Sequence, residues 1–360
     1  MKPTSRLLIT GGAGFIGSHL AEALLDTGAA VTVLDDLSTG RRENIAGLLR
    51  HPRFRLVEGS ILDEVLMDAE IRDCDEIYHL AAAVGVKLIF ERPVRAIKIN
   101  AGGTENVLEA ACRWKRKVFL ASTSEVYGKD ARNESPGFRE TDDIRFGVSM
   151  RWCYASAKIL DEYQARARYQ ENGLPVVIGR YFNTVGPRQV GAYGMVMPRL
   201  VQQALEGRPL TVYGDGTQVR SFTWVGDAVK ATVALMAHPG AVGEIYNIGS
   251  DEAVSVIELA ERIKRATGTA SKIEFVPYKE AYGEGFEDAH HRVPDISKLR
   301  TAIGYRPTRT LDEILSGVIA AFRAQDGEDP AAPGGTADSG ESGGAGGRPA
   351  RTAQAAEGAS

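Results

Sequence analysis

The stretch from Arg6 to Asp35 constrains this chain most. Arg6 to Thr10 reads as a short buried strand, Gly11-Gly12-Ala13-Gly14-Phe15-Ile16-Gly17 as a tight turn, and Ser18 to Gly28 as an amphipathic helix ended by glycine. Gly11, Gly14 and Gly17 fall as G-x-x-G-x-x-G, a spacing that lets the backbone, with Phe15 and Ile16, approach a pyrophosphate at the helix N-terminus. A second strand, Ala30 to Leu34, ends at Asp35, where a carboxylate can accept both ribose hydroxyls of an adenosine. A chain that opens this way is expected to fold as a Rossmann-type doubly wound α/β sheet and to bind a dinucleotide. Asp35 favours NAD over NADP, because it repels the 2'-phosphate that Arg41 or Arg42 would otherwise meet.

The same alternation continues. Phe54 to Glu58, Glu76 to Leu80 and Lys117 to Ala121 repeat the short apolar strand with helical stretches between. Their C-terminal ends carry Gly59-Ser60-Ile61, Leu80-Ala81-Ala82 and Ser122-Thr123, and in such a sheet all of these face one crevice. Ala96 to Trp114 and Tyr154 to Glu171 read as long helices, with Asn100 near the start of the first. The polar loop from Gly128 to Arg151 is long enough to be a lid, or an ordinary surface excursion.

Residues 1–175, with some later segments, are expected to form the cofactor domain, and 176–325 mainly a substrate-binding region. Thr211 to Tyr213 and Glu244 to Ile248 read as short strands there, Ser255 to Ala266 and Leu311 to Ala324 as helices. After Asp326 apolar bulk almost vanishes, so 326–360 is expected to be a disordered tail.

Chemistry concentrates at Ala121-Ser122-Thr123-Ser124-Glu125-Val126-Tyr127-Gly128 and at Tyr154-x-x-x-Lys158. On a helix, residues four apart share a face, so an ammonium lies one turn beyond the phenol. A free tyrosine has a pKa of about 10, and becomes a useful base near neutrality only if a cation lowers that value by roughly 3 units. Lys158 and a positively charged nicotinamide ring can do so together. Hydroxyls at Ser122, Thr123 and Ser124 can bond a substrate alcohol while Tyr154 takes its proton.

A net charge of -4 leaves no global basic field for nucleic acid or an anionic membrane, so an anionic ligand must be met by local groups. Arg180, Asn183, Arg188 and Arg220 form such a polar group, and a planar guanidinium suits phosphate oxygens. Cys74, Cys112 and Cys153 fit neither a disulfide framework nor a zinc site. His290 and His291 are adjacent and lack a third ligand, so no metal is expected; His19 and His79 read as packing residues. Neither a leader nor a membrane anchor is expected, and the cytoplasm fits best.

From Leu7 to about Ile319 the chain resembles the extended short-chain dehydrogenase/reductases that modify nucleotide sugars. Gly11, Gly14, Gly17, Asp35, Asn100, Tyr154 and Lys158 fall on that family's cofactor and catalytic motifs. Ser60 departs from it, since relatives usually carry an aspartate there that holds the adenine amine. Within the family, Ser122 to Gly128 and Arg151-Trp152-x-Tyr154 are similar to UDP-xylose synthases and to the decarboxylase half of the polymyxin-resistance enzyme. The second of these is also similar at Tyr282-Gly283-x-Gly285-Phe286-x-Asp288 and His291-Arg292-x-Pro294.

Both groups act on UDP-glucuronic acid. The resemblance therefore implies Thr123, Ser124, Glu125 and Arg292 as a decarboxylation set. It places Asn183 and Arg220 on the nucleotide diphosphate and Leu210, Thr211 and Tyr213 beside the uracil. Arg188 is a further candidate for phosphate or for a sugar carboxylate. A homodimer is implied, with the helices near Asn100 to Trp114 and Tyr154 to Glu171 in contact.

The leading expectation is NAD-dependent oxidation of a UDP-sugar at C4 followed by decarboxylation of UDP-glucuronate. A UDP-hexose or UDP-uronate 4-epimerase would leave Glu125 without a task. A nucleotide-sugar dehydratase and a non-catalytic NAD sensor are the other readings.

Overall fold

The computed structural model describes residues 5–85, 92–129, 137–190, 195–283 and 289–325. The expected disordered tail, part of the expected lid, and Gly285, Phe286 and Asp288 of the motif after Tyr282 lie outside these residues.

Seven strands form one sheet in the order β11-β6-β5-β4-β1-β2-β3. They are β1 (Arg6–Thr10), β2 (Ala30–Asp35), β3 (Phe54–Glu58), β4 (Glu76–His79), β5 (Lys117–Thr123), β6 (Val176–Tyr181) and β11 (Ile245–Ile248). All neighbours run parallel, with Ile9 beside both Val33 and Tyr78, and Leu120 beside Ile178. A parallel sheet is covered on both faces, which is why these strands are near-continuous apolar runs. Side chains alternate between two cores. Leu7, Ile9, Val31 and Val33 pack with Leu20 and Leu24 of helix α1 (Phe15–Asp26). Leu8, Leu34 and Leu120 pack the other way, against Met67 and Ile71 of α2 (Glu64–Arg72) and Val107 and Leu108 of α4 (Gly103–Trp114).

Strand order reverses between β1 and β4, so a crevice opens at the C-terminal ends of these strands. A short helix, α3 (Pro93–Ile97), and a single π-helical turn, Lys98–Gly102, lead into α4 where the sequence pattern predicted one helix from Ala96. Helix α5 (Cys153–Asn172) begins beside the crevice and ends at Gly173, whose φ of 69° is the left-handed conformation glycine adopts freely.

A third core joins the later helices, with Leu200, Val201, Leu259, Ile263, Ile314 and Val318 at its centre. Three small sheets accompany it. They pair β7 (Thr184–Val185) with β10 (Thr223–Trp224), β8 (Leu210–Tyr213) with β13 (Ile273–Val276), and β12 (Ala253–Ser255) and β14 (His291–Arg292) with β9 (Val219–Ser221). The last pairing sets Arg292 beside Arg220.

One buried ion pair ties the crevice together. Arg180 of β6 donates to both oxygens of Glu162 on α5, at 2.9 and 2.7 Å, and Ser122 of β5 donates to the same carboxylate at 2.5 Å. Both charged side chains are almost fully buried. Glu162→Ala would strand the guanidinium, and unfolding in urea is expected to show a loss of about 3–5 kcal/mol.

Candidate functional site

A cavity of ≈ 470 Å³ occupies the crevice. At one end stand Gly11, Gly14, Phe15, Ile16, Gly17 and Asp35; Ser60, Ile61, Leu80, Ala81 and Ala82 form a wall; Ser122, Thr123, Ser124, Glu125, Tyr154, Asn183, Arg188 and Arg292 close the other end.

The glycine end fits a dinucleotide. Gly11 has φ 73°, and a Cβ there would meet the Ala81 backbone nitrogen at 2.7 Å. A Cβ on Gly17 would run into the Gly11 carbonyl. Helix α1 opens at Gly14 with no side-chain cap and no acid in its first turn, so its amide groups and the positive end of its dipole are open to phosphate. Asp35 accepts N–H bonds from Ala13 and Leu37, both at 2.9 Å, and burial raises its carboxyl above its ordinary value against those bonds. Its remaining lone pairs face the cavity where a ribose diol fits. Arg42 is ion-paired with Glu58, an arrangement that agrees with an unphosphorylated ribose.

Asn100 acts from behind the wall. Its buried amide accepts from the Ala83 N–H at 2.7 Å and donates to the Ala83 carbonyl at 3.2 Å. His79 is likewise structural: it bridges Thr10 at 2.7 Å and Thr104 at 3.0 Å, and burial pushes its pKa down to about 3. His19 meets the Pro187 carbonyl at 3.0 Å, and burial lowers its pKa.

At the chemical end, β5 runs through Thr123, whose hydroxyl accepts from the Glu125 N–H at 3.2 Å and caps a 3-10 turn, Ser124–Tyr127. The turn presents Glu125 between two guanidiniums. Arg151 Nη1 lies 2.5 Å from Glu125 Oε2, and Arg292 Nη1 lies 3.7 Å from Oε1. Burial by itself would raise this carboxyl, but Arg151 and Arg292, with Arg220 behind them, hold it below the ordinary carboxylate value.

Tyr154 enters the cavity from the first turn of α5. Lys158, one turn on, is buried and outside the lining, with Nζ 2.8 Å from Asp161 Oδ2. Burial foremost, and then the charges of Glu125 and Asp161, push the Tyr154 phenol well above its ordinary value. The cation expected to lower it is therefore matched by a neighbouring anion.

The downstream candidates divide. Asn183 lines the cavity and donates to the Ser221 carbonyl at 2.9 Å. Arg188 lines it too, with φ 69° and a 2.5 Å bond to Glu22 of α1. Arg220 is buried outside the lining and donates to the carbonyls of Val219 at 2.8 Å and His290 at 3.3 Å. Leu210, Thr211 and Tyr213 also lie outside it: Leu210 is in the third core, the Thr211 hydroxyl meets Arg199 and Gln203, and Arg199 stacks on the Tyr213 ring. Sequence reasoning gave no role to Arg151, Asp161, Glu162, Arg92 or Arg95, the last two of which line the cavity.

Residues 8–318 match the family model described as GDP-mannose 4,6 dehydratase. The chain belongs to the extended short-chain dehydrogenase/reductases. It is 44% identical over 324 residues to UDP-N-acetyl-alpha-D-glucosaminuronate decarboxylase of Bacillus cytotoxicus, covering 88% of this chain and 98% of that one. It is 37% identical to UDP-glucuronic acid decarboxylase 1 of Arabidopsis thaliana, over 88% of this chain and 70% of the relative. Its structure is similar to that of UDP-glucuronic acid 4-epimerase from Bacillus cereus in complex with UDP-glucuronic acid and NAD. That match has a TM-score of 0.80, 31% identity, and coverage of 89% and 99% of the two chains.

A base at Tyr154 would have to lose its proton, so activity is expected to rise with pH through its pKa. Asp161→Asn removes one of the charges that raise it, so the acid limb of NADH formation is expected to move about one unit toward lower pH. Single-turnover absorbance across a pH series measures this.

Proposed function

We propose that this enzyme uses NAD to oxidise a UDP-hexuronate at C4 and then releases its carboxylate as carbon dioxide. The observation that carries the reading is Glu125 held between Arg151 and Arg292 at the strand end that Tyr154 faces, an arrangement that oxidation alone does not require.

NAD held in this cavity would supply a reversible acceptor for the C4 hydride. Gly11, Gly14 and Gly17 would pass its pyrophosphate to the start of α1, and Asp35 would take its adenosine ribose. Tyr154 takes the C4 hydroxyl proton while Ser124 or Thr123 bonds the same oxygen. The resulting ketone is beta to the carboxylate, so when the C5–C6 bond breaks its electron pair enters the C4–O enolate and carbon dioxide departs. Arg292 orients the carboxylate. With Arg292 drawn to the substrate and a second carboxylate alongside, Glu125 gains proton affinity, takes up a proton from solvent and is placed to deliver it to C5.

Two relatives differ in the sugar they are named for, UDP-glucuronic acid and its N-acetylated glucosamine counterpart. The shared C5 carboxylate is what the Glu125 cluster addresses. Incubation of the protein with NAD and each uronate is expected to release carbon dioxide from at least one, with a matching pentose product by mass spectrometry. Arg292→Ala should lower release by roughly a hundredfold with NAD binding kept. Interconversion of UDP-glucuronate and UDP-galacturonate without gas would replace this reading with the 4-epimerase.

Homodimerisation belongs to the same proposal. Val94, Ile97, Leu160 and Tyr163 are exposed apolar residues on α3 and α5. Light scattering is expected to give twice the chain mass, and Leu160→Glu with Tyr163→Glu to halve it. Cytoplasmic residence is supported by cysteines in no disulfide, and among the described residues no helix is long and apolar enough to cross a membrane.

A further inference from the structure

Glu125 is met by two guanidiniums that differ in three respects. The first is distance, 2.5 Å for Arg151 against 3.7 Å for Arg292. The second is access: Glu125 and Arg292 line the cavity, whereas Arg151 lies outside the lining. The third is support. Arg151 sits in a short 3-10 turn directly before α5, where its N–H donates to Ser149 Oγ at 3.3 Å. Its guanidinium lies 5.3 Å from the centre of the Trp152 ring, which is buried and stacked on Phe146. Arg292 is carried instead by β14, a strand of two residues paired with β9.

We propose that Arg151 is a positioning residue that grips Glu125 from behind as its permanent counter-ion, leaving Arg292 as the exchangeable one that turns to an anionic sugar group. The role rests on the reading of this site as one for uronates. Without Arg151, Arg292 would have to serve both Glu125 and the arriving carboxylate, since Arg220 is engaged with backbone carbonyls. With it, Arg292 can leave Glu125 while the carboxylate remains paired and oriented.

Among the described residues, Arg220 from β9 and Cys153 and Tyr154 from the start of α5 also face Glu125. Of these only Arg220 favours the ionised carboxylate, and it bonds backbone carbonyls. The sign of the effect follows. Two close guanidiniums hold Glu125 ionised in the free enzyme, so removing one raises its proton affinity into the range where activity is measured.

The test is the pH dependence of kcat/KM, which reports ionisations of the free enzyme. It is measured on a UDP-uronate for wild type, Arg151→Met, Arg151→Lys, Glu125→Gln and the Arg151→Met/Glu125→Gln pair. Arg151→Met is expected to gain an inflection near neutral pH and to lose about tenfold in carbon dioxide release, while NADH formation persists. Arg151→Lys should restore the wild-type profile in part, and the added inflection should be absent from the double variant. Coincident profiles for wild type and Arg151→Met, or an inflection that survives Glu125→Gln, would overturn the proposal. NAD binding and circular dichroism identify a variant that has not folded; Arg151→Lys against wild type then carries the test. If wild type releases no carbon dioxide from any uronate, the decarboxylase reading fails, and the same comparison made on epimer formation still decides the role of Arg151.

Discussion

The Arg180–Glu162 ion pair determines how the two halves of the chemistry meet. Tyr154, Lys158 and Glu162 are spaced four apart on α5 and therefore share one face. Glu162 is bound to Arg180 of β6 and to Ser122 of β5, so that face is pressed onto the ends of both strands. Tyr154, two turns earlier, is thereby directed at Thr123, Ser124 and Glu125. A buried pair of this kind is weak evidence of net stability, because desolvation of both ions opposes their attraction. Its contribution is orientation: an apolar pair of equal volume would hold the helix against the sheet without specifying its register.

The electrostatics of the two halves are opposite. Around Lys158, the Asp161 carboxylate leaves a neutral pair and a phenol that is hard to ionise in the free protein. Around Glu125, Arg151, Arg292 and Arg220 face the carboxylate and hold it below its ordinary value. The first half suits a step that becomes favourable only when a positively charged nicotinamide ring is present. The second suits the admission of an anion. Each charge is met at close range by an opposite one on its own side, Lys158 by Asp161 and Glu125 by Arg151, so both characters can coexist in one cavity.

Much of the cofactor half was legible in the sequence because each signal is local. The glycine spacing, Asp35 and the Tyr154–Lys158 interval all lie within single strand-turn-helix units, where residue order dictates geometry. The substrate half was less so. Arg292 meets Glu125 only because β14 pairs beside β9, and strands of two or three residues have no periodicity to read. Leu210, Thr211 and Tyr213 were expected beside the uracil. The strand exists, but Leu210 turns into the third core and the Thr211 and Tyr213 side chains are engaged with the helix at Val196–Leu205 and with Arg199 on it. Arg151 was visible in a motif, yet its role depends on a 3-10 turn that aims it at Glu125, and Asp161 looked like an ordinary polar helix residue.

Fold similarity does not choose among the chemistries this architecture supports. The Bacillus cereus 4-epimerase matches 89% of this chain with a TM-score of 0.80. An epimerase must let a ketone turn over and be reduced from its other face, which calls for room and few directional contacts to the sugar's C5 substituent. Glu125 and its guanidiniums do the reverse: they place directional charge at the strand end that Tyr154 faces. A carboxylate gripped while C4 is a ketone has its C5–C6 bond fixed relative to the carbonyl, and when that bond aligns with the carbonyl π system the electron pair has somewhere to go. In this chain the directional charge at that strand end comes from Glu125, Arg151 and Arg292, residues that lie outside the cofactor motifs.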